Sequence, residues 1–429
     1  MRIALLVMVV ACGPRGATEP THRAPTTARV VMVSIDGLMP ETYRDPDSLG
    51  LAVPTLRALV KRGASARVEP VFPSVTYPAH TTMVTGVPPR LHGITTNRPP
   101  DPLNKNQDGW RWYSEDIAVP TLWQAVGRAA LVTWPVTVGA EVAVRVPEYW
   151  RAGTPDDQKL ERALSTPGLL AKVAAEDPAL WQSFVPPDVK DAAQFSIARY
   201  LVKHETFDLM LVHAWQLDDA QHDHGPRSTE AKAAIENADR LLGELLAVLE
   251  RDPAWSRTYF VVVSDHGFAP YDHEIRVYVQ LAQDGLVAKD VAVSANGGVV
   301  YVYVLDPAAR AAIEASLARL PGIAKTLAKA DITTLGGDPA ADYALVAAPG
   351  HAFSEHREGP VLVATPGKGH HGWPPSDPAM AASFIAIGPG IAPQDLGTIR
   401  MLDIAPTLAH MLGVALPTAI GTPLPIVRH

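Results

Sequence analysis

The chain has 429 residues, 47% of them hydrophobic, and a formal net charge of −8 with no long run of one sign. That length allows two domains or one large α/β domain with insertions, and the acidic balance argues against a nucleic-acid-coating role. The single cysteine, Cys12, leaves the body without paired thiols, so disulfides contribute nothing to its stability.

Cys12 closes an N-terminal pattern. Met1-Arg2 is a positive start, residues 3–10 are apolar but too short to span a bilayer, and Val9-Val10-Ala11-Cys12 resembles the lipobox of bacterial lipoproteins. Residues 1–11 are therefore expected to be a signal peptide, and 12–28 a lipidated N-terminus with a Pro- and Thr-rich tether. The membrane would be a partner through a lipid anchor on Cys12. The body, 29–429, is expected to be exported and to lie in the periplasm or at the cell surface.

Residues 28–35 form an apolar run that ends in Asp36-Gly37, the pattern of a strand buried on both faces. Residues 54–62 read as a crossover helix stopped at Gly63. In 72–86, Pro73 and Pro78 stiffen the chain on either side of Thr76, and a short helix over 79–85 is expected to stop at Gly86. Thr76 then has two readings: a helix cap worth about 1 kcal/mol, or a nucleophile beside an anion-binding helix end.

A loop-rich passage, 87–120, contains Asn97, and a helix over 121–129 and a strand over 131–134 follow. Further on come a helix over 194–204, a strand over 207–213, a polar His-rich loop and a long amphipathic helix over 230–250. Residues 258–267 repeat the first strand's pattern and end in Ser264-Asp265-His266-Gly267. The stretches 299–305, 308–320 and 343–347 predict a strand–helix–strand insert, so 290–363 is expected to form an inserted cap. A last core strand over 383–387 and a helix over 402–412 complete an α/β layered fold with a mostly parallel sheet.

Ligands of open α/β sheets bind at the carboxyl ends of strands, where Asp36, Asp265 and His266 fall. Asp218 and His222 follow the strand at 207–213, and His371 sits in the glycine-bracketed run Gly369-His370-His371-Gly372. Carboxylates and imidazoles gathered from separate loops suit zinc, and two zinc ions about 3.5–4 Å apart clamp a transferring group between them. Asp219, Asp223, His224 and His370 read as solvated or supporting neighbours.

These landmarks resemble the nucleotide pyrophosphatase/phosphodiesterase branch of the alkaline phosphatase superfamily. They are Ser34-Ile35-Asp36-Gly37, the 72–93 block with Thr76, Asp218-x-x-x-His222-x-x-Gly225-Pro226, Ser264-Asp265-His266-Gly267 and His371-Gly372. The resemblance implies an alkaline-phosphatase-like fold and a zinc hydrolase cleaving phosphate diesters or nucleotide pyrophosphate bonds through a phosphothreonine. It implies that Asp218, His222 and His371 hold one zinc, and that Asp36, Asp265 and His266 hold the other. Thr76 would be the nucleophile and a ligand of that second zinc, and Asn97 would donate to a phosphoryl oxygen.

The departures shape the substrate. Relatives acting on nucleotides often carry asparagine where this chain has Ala79. Phosphomonoesterase relatives add a Lys and an Arg near the region of Trp134, where this chain has no basic residue before Arg145. A diester therefore fits better than a monoester dianion, unless Arg145 or Lys368 reaches the site. No Cys/Ser-x-Pro-x-Arg motif occurs, which argues against a sulfatase. The alternatives are a broad alkaline phosphomonoesterase or a phosphonate hydrolase with the same metals, and a lipoprotein that binds a ligand without turnover.

Overall fold

An uninterrupted apolar strand needs cover on both faces, and β1 (Arg29–Ile35) has it. Val31, Val33 and Ile35 point into one hydrophobic core, while Val30 and Met32 point into the other. The computed structural model describes residues 27–106, 109–151, 155–185 and 189–427. The signal stretch, Cys12 and nearly all of the tether lie outside the described residues.

The strands that follow are β2 (Ala64–Glu69), β3 (Ala129–Val132), β4 (Val144–Val146), β5 (Leu209–Ala214), β6 (Thr258–Val263) and β7 (Ala269–Arg276). Then come β8 (Val291–Asn296), β9 (Val299–Val304), β10 (Ile323–Ala328), β11 (Tyr343–Ala347), β12 (Gly350–Ser354), β13 (Leu362–His370), β14 (Ala382–Ile387) and β15 (Gln394–Arg400). The central sheet has eight strands in the order β15-β2-β14-β6-β1-β5-β3-β4. All its pairings are parallel except those of β14, which runs against β6 and β2.

Helices cover both faces. Pro54–Arg62, Leu169–Glu176, Asp191–His204 and Thr229–Leu249 pack on one side, and Thr76–Thr85 with Ile404–Leu412 on the other. The expected α/β layered fold with a mostly parallel sheet is therefore what the chain forms. A second, antiparallel sheet, β10-β11-β9-β8, encloses its own apolar cluster around Tyr301 and Ile313. A third, β12-β7-β13, runs up to His370.

Several expected elements differ from those formed. The helix expected over 121–129 is a single turn, Leu122–Ala125, because Ala129 already belongs to β3, where it pairs with Leu209. The strand at 382–387 is not the last, since β15 follows it on the sheet edge. The polar stretch expected as a loop after β5 is a helix, Gln216–His224. Its start is fixed from outside: buried Asp191 Oδ1 accepts from the backbone N–H groups of Trp215 and Gln216 at 3.0 and 3.1 Å. A carboxylate about 25 positions away leaves no local capping signature, so the helix is invisible to a search for one.

Candidate metal centre and active site

Three adjacent central strands, β6, β1 and β5, deliver the site at their carboxyl ends. Asp36 follows β1, Asp265 and His266 follow β6, and the helix after β5 carries Asp218 and His222 one turn apart on one face. His371 comes from the end of β13, on the far side of the cleft. Its loop is tight: Gly372 has φ +99°, and a Cβ there would fall 1.7 Å from the Asn296 carbonyl oxygen. Only glycine lets this backbone pass under Asn296, which sets His371 opposite Asp218.

The structure brings all six expected metal ligands together. Asp36, Asp265 and His266 form one group with ligand atoms within 4.8 Å of one another, and Asp218, His266 and His371 form a second. His266 and His371 stack with ring centroids 3.6 Å apart, which joins the two. A third group, His222 with His370 and His371, adds His370, whose sequence position suggests only a solvated or supporting neighbour. The His370 Nδ1 accepts from the His371 N–H at 3.0 Å, so this ring also fixes the loop that carries His371.

The donor set fits a cation. Asp36 Oδ1, Asp218 Oδ1 and Asp265 Oδ2 are buried carboxylate oxygens that complete no hydrogen bond, and each faces a histidine Nε2: His266 at 3.3 Å from Asp36 and 3.1 Å from Asp265, and His371 at 3.8 Å from Asp218. Buried polar atoms are paired as a rule, so three orphans from three converging carboxylates call for a positive charge. Each histidine directs its Nδ1 at a backbone carbonyl: His222 at Gly369 (3.0 Å), His266 at Gly267 (3.2 Å) and His371 at Ser74 (3.1 Å). A carbonyl only accepts, so each Nδ1 carries a proton and Nε2 is the nitrogen turned toward the carboxylates, able to bind a cation once it gives up any proton it holds.

The electrostatics agree. Burial pushes the Asp36 carboxyl well above its usual range, and the charges of Asp265 and Asp218 push it further. Burial acts the same way on Asp265, but the protonated His266 beside it, itself raised above the usual histidine range by Asp265 against the pull of burial, outweighs this and holds Asp265 low. His370 and His371 are driven well below the usual histidine range by burial and by their imidazole neighbours, which keeps them neutral. A field that raises one carboxyl's proton affinity this way also attracts a divalent ion.

Thr76 stands at the mouth of this arrangement. It is the first residue of the helix Thr76–Thr85, which begins earlier than expected and stops, as expected, at left-handed Gly86. The cap position belongs to Val75, whose side chain makes no cap hydrogen bond. The Thr76 Oγ1 instead lies 3.5 Å from His266 Nε2. Asn97 Oδ1 accepts the Tyr77 N–H at 2.8 Å. An N–H can meet only the amide oxygen, so the Asn97 NH₂ is the end left for a ligand.

Thr76, Asn97, Asp218, His222 and His371 line one cleft of about 610 Å³. Arg98, which sequence reasoning missed, lines it too, with its guanidinium 5.2 Å from the Trp110 ring centroid. Its position directly after Asn97 was the available signal. Arg145 and Lys368 go elsewhere. Arg145 donates to the carbonyls of Leu164 and Ala140, and Lys368 pairs with Asp223 at 3.0 Å. Trp134 is fully buried against His80, and Ala79 is buried in the core, so neither position offers a group to the cleft.

The sequence profile of the type I phosphodiesterase / nucleotide pyrophosphatase family matches residues 30–374. The chain belongs to this family. Members are metal-dependent hydrolases acting on phosphorus esters. Bis(5'-adenosyl)-triphosphatase ENPP4 of Bos taurus is 25% identical over 442 residues, covering 96% of this chain and 83% of the bovine protein. Ectonucleotide pyrophosphatase/phosphodiesterase family member 7 of Homo sapiens is 24% identical over 60% of this chain and 51% of its own length. An uncharacterized pyrophosphatase/phosphodiesterase of Schizosaccharomyces pombe is 28% identical over 56% of this chain, and the match spans 45% of that protein. Among solved structures, an inactive threonine-to-alanine variant of murine family member 5 in complex with AMP superposes with a TM-score of 0.65. That structure is 21% identical, and the superposition covers 92% of this chain and 97% of the murine one. It shows the alkaline-phosphatase-like fold.

Proposed function

We propose that the protein hydrolyses phosphate diesters or nucleotide pyrophosphate bonds through a phosphothreonine on Thr76, with two zinc ions. Asp36, Asp265 and His266 would hold one ion, and Asp218, His222 and His371 the other. The observation that carries this reading is the convergence of three carboxylate oxygens that complete no hydrogen bond and three imidazole Nε2 atoms, with Thr76 Oγ1 3.5 Å from one of them. The murine relative's inactive variant, a threonine-to-alanine replacement, supports a nucleophilic threonine.

When bound, the zinc ions supply Lewis acidity, which lowers a hydroxyl's pKa and offsets charge on the transferring phosphoryl group. Thr76 Oγ1 loses its proton to solvent and attacks phosphorus in line, and the bond to the leaving oxygen breaks. The positive end of the helix Thr76–Thr85 and the Asn97 NH₂ orient the phosphoryl oxygens. Water then attacks the phosphothreonine from the side the leaving group vacated and frees Thr76. Two inversions return the original configuration at phosphorus.

A diester is the better substrate. It brings one negative charge, whereas a monoester dianion needs further cationic partners at the scissile phosphate. Relatives acting on monoesters place these near the position of Trp134, which is buried here. Arg145 and Lys368 are engaged elsewhere, and Arg98, which does line the cleft, holds its guanidinium against the Trp110 ring. Two missing charge-assisted hydrogen bonds, each worth about 1.5–3 kcal/mol, amount to roughly two to four powers of ten in rate. The expected result is a kcat/KM for bis(p-nitrophenyl) phosphate at least about a hundredfold above that for p-nitrophenyl phosphate at one pH. A monoester value equal to or above the diester value would instead favour the phosphomonoesterase alternative.

The N-terminal pattern up to Cys12 supports export and a lipid anchor. Cys12→Ser should move the protein from the membrane to the soluble fraction. An unchanged membrane fraction would refute the anchor.

A further inference from the structure

A chain of buried hydrogen bonds leads from Asp36 away from the cleft. His213, on β5 in register with Ser34 of β1, brings Nε2 to 3.1 Å from Asp36 Oδ2. Its Nδ1 faces Glu148 Oε2 at 3.0 Å and the Thr133 carbonyl at 3.2 Å. The Tyr77 hydroxyl donates to the other oxygen of Glu148 at 2.9 Å, and the Tyr77 N–H donates to Asn97 Oδ1 at 2.8 Å. The chain thus begins at Asp36, passes through the residue next to Thr76, and ends at the amide that faces the cleft.

His213, Glu148 and Tyr77 are at most 4% exposed and do not line the cleft. Burying a carboxylate and an imidazole is costly, and an apolar filling of similar volume would usually stabilise the fold as well or better. What these groups add is direction. His213 occupies Asp36 Oδ2, which leaves Oδ1 as the unpaired oxygen, 3.3 Å from His266 Nε2. Glu148 fixes the ring plane of His213 from behind, and Tyr77 fixes Glu148.

We propose that His213 and Glu148 are positioning residues. They hold Asp36 in the rotamer that turns Oδ1 toward Asp265 and His266, and they couple that carboxylate through Tyr77 to Thr76 and Asn97. The inference rests on the reading of Asp36 as a metal ligand.

The test uses the full chain with zinc as the probe, its affinity measured by competition with a chromogenic chelator. Unfolding curves and kcat and KM on bis(p-nitrophenyl) phosphate accompany it. His213→Gln should weaken zinc binding by about 10–100-fold. Glu148→Gln, which keeps size and hydrogen bonding, should weaken it by about tenfold and lower kcat with KM within about twofold. Because both residues act through one chain, the double variant should lose no more affinity than His213→Gln alone. If His213→Gln does not fold, Glu148→Gln carries the same test by itself. Folded variants that bind zinc within about twofold of the parent would overturn the inference, as would losses that simply add. A parent that binds no zinc would overturn the metal reading and this inference together, whereas an active, zinc-binding parent with unaffected variants would overturn this inference alone.

Discussion

Thr76→Ala should lower turnover of a phosphate diester by about a thousandfold or more, which is roughly 4 kcal/mol of transition-state stabilisation. Zinc binding and the unfolding midpoint should barely change. The hydroxyl caps no helix, since the cap position is Val75, and it makes a long, 3.5 Å contact with His266 Nε2. Removing it therefore deletes only this weak contact and leaves the six carboxylate and imidazole ligands in place. Thr76→Ser keeps the nucleophile but frees its χ1, which the β-branched threonine restricts, and should retain part of the rate. Trapping with ³²P-labelled substrate in acid should label the parent and not the alanine variant. An alanine variant that turned over normally would exclude a covalent phosphothreonine.

Metal removal is the second large effect. Dialysis against a strong chelator should abolish activity, and zinc should restore it, with two equivalents bound per chain. Restored activity with less than one equivalent would refute the two-zinc assignment. Asp36, Asp218 and Asp265 each bury an unpaired oxygen, so zinc should also stabilise the fold, by about 2.7 kcal/mol for a site filled at a hundredfold excess over its Kd. Asp36→Asn separates the two roles. Burial and the Asp265 charge already push the Asp36 carboxyl toward its neutral form, so a neutral amide of the same shape should leave the metal-free protein as stable or more so. The same variant should lose the Asp36–Asp265–His266 ion, the activity and half of the zinc-dependent rise in the unfolding midpoint. A variant that keeps two zinc ions and full activity would remove Asp36 from the ligand set.

Much of the site was legible in the sequence because its parts are local. Asp36 and Asp265-His266 end uninterrupted apolar runs, and such runs become central parallel strands whose carboxyl ends must meet. Thr76 stands between two prolines, and its helix ends at a glycine that adopts the left-handed conformation. Asp218 and His222 carry a one-turn spacing, although the helix that makes it meaningful went unseen.

The tertiary structure alone decided the rest, because those contacts join residues far apart in the chain and leave no periodic or spacing signal. Asp191 starts the helix of Asp218 from about 25 positions away, and Ser74 turns His371 across 297. His370 gains its place from β13, which pairs with β7, and Arg98 reaches the cleft while Arg145 and Lys368 are drawn to partners outside it. The line from Asp36 through His213 and Glu148 to Tyr77 spans four separate segments. Residue types suggested which side chains could bind a metal. Only packing in three dimensions determined which oxygen of each carboxylate is left unpaired, since that depends on which donor the fold brings to the other one.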